Sequence, residues 1–168
     1  DDPGMVAMLT NLGILKHAQQ KFTEAEPLLK RALDITEKTK GADHPELGTM
    51  LNNLGTLYED QGRREDAEPL YVRSLAIWEK ALGPDHPDVA ITVHNLANLY
   101  RNMGKPDRAE PLYLRSLAVW EKALGLKHPF VAVSLRERAN LYRDVGRPAE
   151  AEPLYQRAIA IQREVLGE

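Results

Sequence analysis

The stretch AEPLYVRSLAIWEKALGPDHP occupies residues 67–87, and AEPLYLRSLAVWEKALGLKHP follows at residues 109–129. The two copies begin 42 residues apart, and the same step recurs along the chain. Pro3, Pro45, Pro87 and Pro129 keep it, as do Gly62, Gly104 and Gly146, with Gln20 in the matching first place. The Ala-Glu-Pro-Leu tetrapeptide also stands at residues 25–28 and 151–154. Residues 45–86 and 87–128 share 22 identities in 42 positions, which excludes coincidence. Self-similarity at such a period is the signature of a repeat architecture. The units run over residues 3–44, 45–86, 87–128 and 129–168.

Each unit reads as two helices. Leu47, Leu51, Leu54 and Tyr58 follow the spacing of one buried helical stripe. Pro45 suits the first helical position, with His44 just ahead of it as a cap, and Gly62 ends the helix where positive φ is needed. The second helix is expected to start near Glu65. Its counterpart in the first unit, Thr23 followed by Glu26, matches a capping box. Ala67, Leu70, Tyr71, Ser74, Leu75 and Trp78 continue a stripe to Leu82, and Gly83 closes it. The small Ala67 and Ser74 let the two helices approach, while Tyr71 fills the space between them. One such hairpin cannot bury its apolar stripe alone, whereas stacked neighbours bury each other's. The expected fold is all-α: an α-solenoid of four helix-turn-helix repeats, eight helices in a right-handed superhelix with a concave groove. It is expected to form a single array over residues 1–168, cut from a longer protein.

The pattern Leu54-Gly55-x-x-Tyr58, then Ala67, Tyr71 and Ser74, resembles the tetratricopeptide consensus. The longer unit resembles the repeats of kinesin light chains more specifically. Leu51-Asn52-Asn53-Leu54, Gln61-Gly62-Arg63, Ala67-Glu68-Pro69-Leu70-Tyr71 and Ala81-Leu82-Gly83-Pro84-Asp85-His86-Pro87 carry that likeness. The heptad coiled coil that joins a kinesin heavy chain is not in this sequence, so the resemblance is to the repeat array alone. It implies a groove lined by the first helix of each repeat, holding an extended peptide with acidic residues around a tryptophan. Carried over by position, the groove residues are Asn11, Asn53 and Asn95, with Glu137 departing in the fourth repeat. The preceding places hold Asn52, His94 and Arg136. Thr56, Asn98 and Asn140 stand one turn on, and Arg101 and Arg143 follow the tyrosine, where the second repeat has Glu59. Residues 52, 56 and 59 share a helical face opposite the leucine stripe.

Several side chains admit two accounts. Trp78 and Trp120 stand where the outer repeats have Thr36 and Gln162, either in the core or as aromatic walls of the groove. Arg138 occupies a leucine position, so it must find an acid or reach solvent. Arg101, Arg136 and Arg143 face only Asp144 and favour a carboxylate-bearing ligand, since guanidinium binds carboxylate with two parallel bonds. The charges of residues 61–66 read as a solvated turn.

Charged residues make up 28% and apolar residues 43%, which places the chain among folded proteins. The net charge of −3 and the acidic residues of the second repeat argue against nucleic acid as partner. There is no cysteine, and no apolar run nears the roughly 18 residues of a membrane span. The opening Asp1-Asp2-Pro3-Gly4 does not look like a signal peptide, and a cytoplasmic location is expected. His44, His86 and His128 recur one helix-packing distance apart and cannot share a metal ion, which needs its ligands about 2 Å away. No phosphate loop or His-Glu-x-x-His helix is present. The expected function is therefore a non-enzymatic scaffold without cofactor or metal that binds an acidic peptide. The alternative is a spacer or self-association element. Leu154, Ile161 and Leu166 of the last helix are expected to lack cover, which favours end-to-end stacking.

Overall fold

The structure, a computed structural model, describes residues 3–167, so the Asp1-Asp2 opening lies outside the described residues. The described residues form helices α1 (Pro3–Ala18), α2 (Phe22–Lys40), α3 (Pro45–Asp60), α4 (Arg64–Leu82), α5 (Pro87–Asn102), α6 (Pro106–Leu124), α7 (Pro129–Asp144) and α8 (Pro148–Leu166). No strand occurs among them. The chain divides into two compact units, residues 1–83 and 84–168, each holding two hairpins.

The helix ends are set locally. His44, His86 and His128 each precede a proline and cap the helix behind it, their Nδ1 atoms accepting from the N–H of Glu46, Asp88 and Phe130 at 3.3, 3.2 and 3.2 Å. Such a bond answers one of the orphan donors of a first turn and is worth about 1 kcal/mol. The histidines are thus structural punctuation. At the turn between paired helices the backbone enters the left-handed region, at φ 75° for Gly62, 68° for Gly104 and 76° for Gly146. Gln20 takes the same conformation at φ 59° without glycine's freedom.

Within each hairpin the expected small residues sit at the contact. Ala25, Ala67, Ala109 and Ala151 are buried, and so are Ser74 and Ser116. Ser74 Oγ donates to the Gly48 carbonyl at 2.7 Å, across the contact of the two helices. Tyr71 and Tyr113 are fully buried between their helices. Leu47, Leu51, Leu54 and Tyr58 are buried as the stripe requires.

Four local expectations change. The capping box at Thr23 does not form: α2 starts at Phe22 behind Lys21, which makes no side-chain cap. Glu26 turns instead to the next repeat, where Tyr58 and Arg63 hold it at 3.0 and 2.9 Å. The turn after α3 is therefore not merely solvated, since Arg63 also lies over the Tyr58 ring at 3.9 Å. Leu82, at the last turn of α4, is exposed. Ile161 is covered, 5% exposed, by Ala158, Trp120 and Leu135 of its own unit. The uncovered apolar residues of α8 are Ile159, Val165 and Leu166.

Candidate functional site

The residues expected to line a groove lie on α1, α3, α5 and α7, and each unit is described by itself. In the first unit Asn11 is exposed on α1, and Asn52, Asn53 and Thr56 are half-buried on α3. Thr56 Oγ1 donates to the Asn52 carbonyl at 3.0 Å and lies 3.1 Å from Tyr71 Oη, which donates to Glu59 Oε2 at 3.2 Å. Thr56 is thus tied to the second helix of its own repeat. Trp78 is half-buried and lies against Gly48.

The second unit repeats the arrangement with asparagine. Tyr113 Oη donates to Asn98 Oδ1 at 2.6 Å, and Tyr155 Oη to Asn140 Oδ1 at 2.5 Å. One acceptor of each amide therefore faces its own hairpin, while Asn140 Nδ2 donates to Glu137 Oε2 at 3.1 Å. Asn95 is half-buried on the same helix as Asn98.

Glu137 organises the charged part of this face. Arg101 Nη1 donates to its Oε2 at 2.7 Å and Arg136 Nε to its Oε1 at 3.0 Å. Burial pushes the Glu137 carboxyl up, but the bonds from Asn140 and Arg136 and the charge of Arg101 outweigh this and hold it below the ordinary carboxylate range. Arg143 donates to Asp144 Oδ1 at 2.8 Å, and Asp144 lies 3.9 Å from Arg101 Nε. The three arginines thus face two carboxylates. The departure of Glu137 from the asparagine pattern was visible in sequence; that its carboxylate meets Arg101, on the preceding first helix, was not.

His94 is not on this face. It is 6% exposed and packs against the rings of Tyr113 and Trp120, at centroid distances of 5.5 and 5.2 Å. An imidazole on the inner flank of α5 is closer to α6 than to solvent, and burial holds its pKa at about 4. Trp120, 2% exposed, has its indole between His94 and Phe130, with Nε1 donating to the Pro87 carbonyl at 3.3 Å. It belongs to the core. Arg138 resolves its leucine position by reaching along α7, where Nη2 donates to Tyr142 Oη at 2.7 Å. Among the described residues no group of three His, Asp or Glu side chains is placed to hold a metal ion.

Helical hairpins stacked by small residues at a fixed sequence step define an α-solenoid repeat protein. The chain belongs to the tetratricopeptide repeat family, whose pattern matches residues 4–76, 46–113 and 88–164. The repeats are of the kinesin light chain-like kind, and the family is one of protein-interaction scaffolds. The structure is similar to BtubC (BKLC) from P. vanneervenii, at 23% identity and TM-score 0.88, over 97% of this chain and 65% of that one. It is also similar to a Podosopora anserina protein assigned to the kinesin light chains, with nearly identical TPR-like repeats. That likeness is 29% identity and TM-score 0.79 over 98% of this chain and 78% of the other. MamA matches at 17% identity and TM-score 0.71, over 99% and 84%. BtubC and MamA show the fold alone. The chain spans just under two thirds of BtubC. No curated protein matches it. Among the described residues no helix is long and apolar enough to cross a membrane.

Proposed function

We propose that this chain is a non-enzymatic interaction module whose second unit takes an acidic peptide segment along the polar face of α5 and α7. The observation that carries it is the trio Arg101, Arg136 and Arg143 around Glu137, with the Arg136 and Arg143 side chains largely exposed. Glu137 fixes Arg101 in place, so little side-chain freedom is lost there on binding. Arg136 and Arg143 each have a carboxylate within reach and exchange it for one of the ligand. Asn95, half-buried on α5, flanks them as a backbone partner, since an amide both donates and accepts. The kinesin light chain likeness supports the same ligand class.

The test is binding of a peptide library with graded acidity to the full chain. Replacing both Arg136 and Arg143 by alanine is expected to weaken acidic peptides roughly tenfold at low salt, with unchanged helicity. Arg101 is left intact in this variant because it neutralises half-buried Glu137. Unaltered affinity in the double variant would sink the proposal.

A second reading is self-association, favoured by apolar side chains left open at both ends. Met5, Met8, Leu12 and Leu15 are exposed on α1, and Ile159, Val165 and Leu166 on α8. Such surfaces join copies of the chain or carry further repeats. Concentration-dependent mass by light scattering, abolished by Leu12→Glu or Leu166→Glu, would support it over the peptide reading.

A further inference from the structure

Within the first unit α2 packs on α3, and within the second α6 packs on α7, so a second helix seats on the first helix of the repeat that follows. Among the described residues no helix stands before α1 or after α8 to complete the same contact. The exposures follow from this. Leu47, Met50, Leu54 and Leu57 of α3 are at most 8% exposed. Met5, Met8, Leu12 and Leu15 stand 42 residues before them on α1, and all four are exposed, Met8 by 64%. On the other side, Leu33 of α2 packs against the cluster of Leu47 and Leu51, and Leu117 of α6 shares one with Val131 and Leu135. Ile159 holds their place on α8 and is 48% exposed.

Charges recur at the same boundaries. Glu26 pairs with Arg63 at 2.9 Å and Glu110 with Arg147 at 3.3 Å. A second pair joins Glu37 to Arg73 at 2.7 Å and Glu121 to Arg157 at 2.6 Å. At the first set of positions the open faces carry Glu152 on α8 and Lys21 at the start of α2, which are opposite charges. At the second set they carry Arg163 on α8 and Arg31 on α2, which are like charges. Arg31 Nη2 lies 3.9 Å from Met5 Sδ, so its guanidinium belongs to the open face of α1.

We propose that copies of this chain join head to tail, α8 of one copy seated on α1 of the next in the register by which α2 seats on α3 and α6 on α7. This rests on the self-association reading above and adds the two faces and the residues that meet. Ile159 covers Met5 and Leu9, the counterparts of Leu47 and Leu51. Glu152 meets Lys21 as Glu26 meets Arg63. Each face lacks what the other supplies, and a symmetric pairing of two α1 faces would leave Ile159 and Glu152 without a partner. The contact uses two different faces, so a joined pair still offers one of each and growth does not stop at two copies. Arg163 against Arg31 is the mismatch in this register. It weakens the contact, and it marks the register for a test.

The experiment measures average mass against concentration by sedimentation of the full chain, with circular dichroism to check folding. The mass is expected to climb past that of two copies. Arg163→Glu turns the like charges into the pair that Glu37 makes with Arg73, and should lower the concentration of half-association roughly fivefold at low salt. Arg31→Glu should do the same from the other face, and the two changes together set glutamate against glutamate and should lose the gain. Each change takes the net charge of −3 further from zero, which by itself opposes association, so a gain isolates the pair. Ile159→Asp alters an exposed side chain and should keep the mass at that of one copy. A mass that stays constant with concentration would overturn this register and the self-association reading together. Association that ends at two copies, or that neither single glutamate variant strengthens, would overturn the register and leave self-association standing.

Discussion

Tyr58 on α3 donates its hydroxyl to Glu26 Oε1 on α2 at 3.0 Å, tying the second repeat to the first. The link recurs in the second unit, where Tyr142 donates to Glu110 Oε1 at 2.5 Å and Arg147 to Glu110 Oε2 at 3.3 Å. Glu26 and Glu110 of the Ala-Glu-Pro-Leu tetrapeptides are therefore repeat-to-repeat contacts, each within its own unit. Leaving the ring and removing only the hydroxyl, Tyr58→Phe should lower stability by about 1.5 kcal/mol, the low end for a bond to a charged group because the pair is only part-buried. Urea unfolding measures it. Combined with Glu26→Gln, the loss should be less than the sum of the two single losses, because one bond is shared.

His94 predicts a pH dependence. Its folded pKa of about 4 lies below the ordinary 6.5, chiefly because of burial, with Glu137 pulling upward and Arg101 and Arg136 pushing down. Between those values the unfolded chain takes a proton that the folded one refuses. Stability should therefore fall as pH drops through 6.5 toward 4, by about 3 kcal/mol in all, and level off below. The lower end of this window overlaps the loss of the carboxylate contacts of Glu26 and Glu137, so pH 6.5 to 5 is the clean range. His94→Phe, which keeps a ring against Trp120, should flatten that part of the profile. An equal slope in both proteins would contradict the assignment.

Gln20 bends into the left-handed region where three glycines stand in the other repeats. A side chain there costs about 1 kcal/mol. Gln20→Gly should raise stability by about 0.5–1 kcal/mol despite the looser unfolded chain. A thermal melt showing no gain would mean that the turn relaxes without strain.

Gly48 is the close approach of the second hairpin. A Cβ there would lie 2.6 Å from Trp78 Nε1. Gly48→Ala must displace the indole, and the overpacking should exceed the helix-propensity gain by about 1 kcal/mol. Trp78 emission should shift in the folded state. Ala90 holds the equivalent place beside Trp120 without difficulty, so the effect belongs to the present position of Trp78.

Much of the architecture was present in the sequence because it rests on local spacing. The leucine stripe from Leu47 to Tyr58, the histidine caps and the left-handed glycines all depend on neighbours within a few turns, and the step of 42 residues repeats them. Small residues at Ala67 and Ser74 announced the close helix contact, since nothing larger fits. The groove assignments were less legible. Asn98 and Asn140 are expected from sequence to meet a ligand, and only packing showed that Tyr113 and Tyr155 each donate to one of their carbonyl oxygens. His94 stands one residue from the half-buried Asn95, yet it is buried against the rings of Tyr113 and Trp120 on α6.

The sequence by itself determined the hairpin, its period and its caps, because a helix reads its own 3.6-residue pattern without reference to distant chain. Tertiary structure alone decided which charged and aromatic side chains meet: Arg101 with Glu137, Glu26 with Tyr58, and Trp120 between His94 and Phe130. Those pairs lie on different helices, up to a full repeat apart. Which atoms come into reach depends on the angle at which helices cross, and a one-dimensional period does not carry that angle.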